Sequence, residues 1–128
     1  MNHRKSFLPI ALLAVFLIGC STLYTGVVSL TSVVDSAMKE WAAMSVAGQT
    51  TPALDANVIK AHDQYRLAAG VAKRALITYK AGGDQAAYIS ALQAAKVAAD
   101  GLLNIIYPLL TVDKADEFKG QLAKANSP

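Results

Sequence analysis

The chain has 128 residues, 54% of them hydrophobic and only 16% charged, with 12 basic residues against 9 acidic ones and a single cysteine. That length holds one domain and is too short for two. A lone cysteine excludes an internal disulfide, so stability must come from burial. Alanine is abundant, β-branched runs are short, and Gly and Pro fall at a few discrete points, a composition that favours helix throughout.

In chain order, His3-Arg4-Lys5 precede the apolar block Phe7–Ile18, which runs into Leu17-Ile18-Gly19-Cys20. A charged head, an apolar core and a small residue before a cut site form an export signal. Leu17, Ile18, Gly19 and Cys20 resemble the lipobox of bacterial lipoproteins. The resemblance covers residues 1–20. It implies that 1–19 are a signal peptide and that the Cys20 sulfur carries diacylglycerol and further acyl chains. Cys20 then becomes residue one of the mature chain, and no other cofactor is implied. Each buried methylene adds about 0.8 kcal/mol, so two or three chains on one residue hold a protein on a membrane durably. Ser21, rather than Asp, resembles the Gram-negative members sorted to the outer membrane, which implies its periplasmic face.

A rival reading leaves the segment uncut. No charged side chain lies between Ser6 and Val34, so Leu8–Leu30 is long enough for an uncleaved single-pass signal anchor. Ser21, Thr22, Thr25, Ser29, Thr31 and Ser32 make its second half polar, and Phe7–Ile18 has the length of a signal core. Cleavage removes Arg4 and Lys5, leaving 10 basic against 9 acidic residues and lowering the formal charge from +3 to +1. Such a balance argues against a nucleic-acid partner.

Beyond the signal, three heptad seams predict an all-α, up-down-up three-helix bundle over about 22–47, 52–81 and 85–107, with a short C-terminal helix over about 114–124 and an N-terminal signal helix. The first seam is Leu23, Val27, Leu30, Val34, Ala37, Trp41 and Met44, ending at Gly48. Thr51-Pro52 restarts the chain as a hydroxyl cap followed by proline at the first helical position. The second seam is Leu54, Val58, Ala61, Tyr65, Ala68, Ala72, Ala75 and Tyr79. Gly82-Gly83 stops it, and Asp84 can cap the next helix. The third is Tyr88, Leu92, Ala95, Ala99, Leu102, Ile106 and Leu109, with Pro108 ending or kinking the helix near Tyr107. Val112, Ala115, Phe118 and Leu122 give the last helix one apolar face, expected to fold over one end. Residues 20–125 form the anchored domain and 126–128 a frayed tail. The alternative is a longer coiled coil with partner chains.

His62, alone after the signal, has no companions at ligand spacing, so no metal site is expected. Nor does a nucleophile elbow, phosphate loop or dinucleotide turn occur, so no catalysis is expected. Arg66, Lys73 and Lys80 recur every seven residues, with Arg74 alongside, and line one helix face. This stripe suits an anionic surface, or is the solvated side of an amphipathic helix with lysine stems covering alanine edges. Leu102–Leu110 is apolar around most of its circumference, which fits central packing or insertion under a partner or into a membrane, though it is too short to span. The mature body is similar to small helical lipoproteins, some carried by phages. The expected role is therefore a non-catalytic structural or interaction module of the cell envelope, meeting an envelope protein or a second copy of itself. The alternative is a membrane-active or phage-exclusion lipoprotein.

Overall fold

The computed structural model describes residues 27–126. Helix α1 is described over 27–46, followed by α2 (Pro52–Lys80), α3 (Gln85–Ile106), a 3-10 turn (Tyr107–Leu109) and α4 (Val112–Asn126). No strand occurs among the described residues. The protein is an all-α helical bundle with a short C-terminal helix. The expected signal helix, the lipobox, the start of the first helix and residues 127–128 lie outside the described residues.

The helix ends follow their local chemistry. Thr51 Oγ1 accepts from the Leu54 amide at 3.2 Å while its own backbone stays extended, and Pro52 opens α2. That satisfies one of the amides a helix start leaves without an intrahelical partner. Gly48 and Gly82 turn the chain with φ of 73° and 97°, a region costly for residues bearing a Cβ. Asp84 Oδ1 accepts from the Ala86 amide at 2.9 Å and starts α3. Pro108 stops α3 at Ile106, and the chain tightens into a single 3-10 turn. Thr111 Oγ1 accepts from the Lys114 amide at 3.3 Å. This cap explains why α4 begins at Val112 and not near 114; it also runs on to Asn126, taking in one residue of the expected tail. Val112, in the first turn, is 76% exposed and does not belong to the apolar face assigned to it.

Direction follows from which ends meet. Val27 clusters with Leu76, Tyr88 and Leu92, so the first described turn of α1 lies beside the end of α2 and the start of α3. At the other end, Trp41 Nε1 donates to Asp55 in the first turn of α2 at 2.8 Å. The three long helices therefore alternate direction. The main core joins Leu30, Val34 and Ala37 to Val58, Tyr65 and Ala72 and to Ala95, Ala99, Leu102 and Ile106. Ala37, Ala72, Ala95 and Ala99 are all at most 1% exposed, so the helices approach closely through alanine. The tyrosines fill the wider layers, with Tyr79 and Tyr88 stacked at 6.2 Å between centroids.

Two features depart from the expected pattern. On α2 Ala69 and Leu76 join Val58, Tyr65 and Ala72 as buried positions, while the expected seam residues Ala68 and Ala75 are only half-buried. A straight helix drifts by about 20° per heptad, and the second partner helix widens the buried face on that side. Phe118 and Leu122 of α4 join the same core as Leu30 and Val34, so α4 completes the interior and does not merely fold over one end. An exposed ion pair from Lys114 Nζ to Glu40 Oε1, 3.4 Å, ties its start to α1.

Gln85–Leu109 is long and apolar enough to cross a membrane, with a mean hydropathy of 1.2. About a third of its apolar window is buried: Tyr88, Leu92, Ala95, Ala99, Leu102, Leu103 and Ile106 pack inside the bundle along one side, and an amphipathic bundle helix meets the same criterion.

Candidate functional site

Two adjoining grooves run along the α1/α2 flank, and they share Thr31 and Lys73. The first, about 400 Å³, has a floor of Val27, Val28, Leu76 and Ile77, with Lys73 and Lys80 at its rim. Val28 and Ile77 are 49% and 68% exposed, large apolar side chains left facing water. The second, about 360 Å³, is polar: Asp35, His62, Tyr65 and Arg66 join Thr31 and Lys73 there. Both volumes fall in the range of small-molecule sites.

These side chains converge because α1 and α2 pack antiparallel with Thr31 opposite Tyr65. Their hydroxyls share a 3.1 Å hydrogen bond that links the helices across the flank. Burial holds the Tyr65 phenol above its ordinary range; the Thr31 bond opposes that rise and Asp35 adds to it. His62 is half-buried, with its ring tilted against Tyr65 at 6.5 Å. Among the described residues no group of three or more His, Cys, Asp or Glu is placed to hold a metal ion. The polar groove carries Arg66 and Lys73 against one acid, Asp35, so its fixed charge is net positive.

Of the basic stripe, Arg66, Lys73 and Lys80 line this flank, as their spacing of seven requires. Arg74 lines neither groove, because one residue further along a helix points about 100° away. Thr31, Tyr65, Val28 and Ile77 were missed as groove residues. The signal for Val28 and Ile77 was present: both are large apolar residues off the heptad seams. Cys20 and the rest of the lipobox lie outside the described residues, and seven positions separate Cys20 from Val27.

A second polar cluster closes the opposite end of α1. Trp41 Nε1 and Ser45 Oγ donate to the two oxygens of Asp55, at 2.8 and 2.9 Å. The Asp55 carboxyl sits below its ordinary range, chiefly through the Thr50 hydroxyl; partial burial opposes this, and Ser45 and Trp41 add to it. The Thr50 hydroxyl oxygen is buried beside the carboxylate. This cluster braces the α1–α2 link. Met44, the other expected seam residue here, is half-buried.

The fold and flank together define an all-α bundle with an open, two-part amphipathic groove. No family model matches the chain, and no curated protein or solved structure matches it.

Proposed function

We propose that this is a lipid-anchored protein of the bacterial cell envelope, whose helical bundle works by contact and not by catalysis. Cys20 carries the diacylglyceryl and acyl chains and holds the bundle to a membrane. Ser21 favours the periplasmic face of the outer membrane. Partners are the membrane itself and an envelope protein or a second copy, with no role for nucleic acid. The observation that carries this reading is Leu17-Ile18-Gly19-Cys20 at the end of an apolar run behind Arg4-Lys5. The bundle's first described core residue, Val27, follows Cys20 by only seven positions, which span at most about 25 Å of extended chain. Whole-protein mass spectrometry after expression in a Gram-negative host tests it. The expected mass is that of residues 20–128 plus diacylglycerol and acyl groups, with Cys20→Ser remaining at the precursor mass. An intact precursor without added acyl mass overturns the reading.

A further inference from the structure

We infer that the α1/α2 flank binds one anionic membrane phospholipid, with one of its two acyl chains in the apolar groove and its phosphate in the polar one. The two halves are continuous through Thr31 and Lys73, so a single molecule can occupy both. Val27, Val28, Leu76 and Ile77 offer a hydrocarbon-compatible floor, and Lys73 and Arg66 stand where a phosphate would follow. Charge selects the headgroup: two cations against Asp35 favour a net negative lipid over a zwitterionic one. Polarity along the flank matches a lipid in a leaflet. The apolar half lies at the first described turn of α1, nearest in sequence to Cys20, and the polar half lies farther along the helix. Only this last direction rests on the anchored reading. A lipid drawn partly from the leaflet would keep its tail toward the membrane and its headgroup away from it.

The test uses the full chain, native and Cys20→Ser, in neutral maltoside micelles titrated with phosphatidylglycerol or phosphatidylcholine, with adducts counted by native mass spectrometry. One phosphatidylglycerol per chain is expected, preferred over phosphatidylcholine by roughly tenfold, the scale of one charge-assisted hydrogen bond. Ile77→Asp in the apolar half, and Arg66→Gln with Lys73→Gln in the polar half, each weaken uptake by about the same factor. Helicity by circular dichroism stays unchanged, since all three side chains are exposed. Lys60→Gln, outside the grooves, leaves uptake as it was. Equal uptake of the two lipids, indifference to the groove variants, or a Lys60→Gln loss as large as theirs overturns the inference. Cys20→Ser is expected to bind like the native chain. An unmodified Cys20 in cells would therefore sink the anchoring reading while leaving this measurement to be judged alone.

Discussion

Phe118→Ala separates two accounts of why α4 belongs to the bundle. Phe118 is 3% exposed and sits in the same core as Leu30, Val34 and Leu102, whereas the Lys114–Glu40 pair has both side chains 40% exposed. Truncating a buried phenylalanine costs about 3–5 kcal/mol, transfer and cavity together. The exposed ion pair is worth about 0–1 kcal/mol, and Lys114 over the Phe118 ring, 5.8 Å away, adds little at such an open position. For a domain near 100 residues each kcal/mol moves the midpoint by about 4–8 °C. Phe118→Ala should therefore lower Tm by at least about 12 °C, and Glu40→Gln by at most about 8 °C. Thermal unfolding of the full chain, followed at 222 nm, reads both. Equal, small shifts from the two variants would show that α4 contributes no core, and the packing assigned to Phe118 and Leu122 would be wrong.

Three further outcomes follow from other parts of the fold. Because the Asp55 carboxyl is lowered from 3.8, its contribution is complete above that unfolded value and is lost as pH falls through the lower folded one. Trp41, the single tryptophan, should therefore hold its emission down to pH 3.8 and shift to the red only below it, and Asp55→Ala should show the shifted emission already at neutral pH; an unaltered acid transition in that variant refutes the cluster. A Cβ on Gly83 would lie 2.7 Å from the Thr78 carbonyl oxygen, while one on Gly101 meets nothing within 4 Å. Gly83→Ala should destabilise by roughly 0.5–3 kcal/mol and the helical Gly101→Ala should stabilise by about 0.5–1 kcal/mol, compared by urea denaturation; the opposite order fails the turn geometry. Ala72 is fully buried, so Ala72→Leu should cost about 1–3 kcal/mol by overpacking, and unchanged stability would deny the close α2/α3 approach.

What could be read from the sequence was what acts locally. Thr51-Pro52, Asp84 and Pro108 constrain their own backbone or a neighbouring amide, and each marks an element boundary where expected. Seam positions on α3 were equally clear, from Tyr88 to Ile106, because that helix is buried along one straight face. On α2 the pattern was legible only in part, since alanine at 68, 69, 72 and 75 makes neighbouring faces alike in hydropathy. Packing then decides which alanines are buried. Thr111 as a cap was hidden for a related reason, as nothing in Thr111-Val112-Asp113 distinguishes a cap at 111 from one at 113. The groove was the least legible feature. Arg66, Lys73 and Lys80 share a flank by spacing alone, but what faces them is set by a contact between residues 34 apart, Thr31 and Tyr65.

The placement of α4 explains why the groove stays open. Thr31 and Glu40 are nine residues apart on α1, and at about 100° per residue they point to opposite sides of the helix. Phe118 and Leu122 hold the short fourth helix in the core, and Glu40 meets Lys114 at its start, so α4 lies on the flank away from Thr31. Had α4 taken the other side, Phe118 and Leu122 would have met Val28 and Ile77, and the apolar floor would be core. A helix of 15 residues cannot wrap around to cover both sides. Burial of Val33 on the Glu40 side, against 49% exposure of Val28 on the other, records the same asymmetry. The bundle thus closes its core on one flank of α1 and leaves large apolar side chains beside three cations on the other, and it is the unburied flank that carries the chemistry for a ligand.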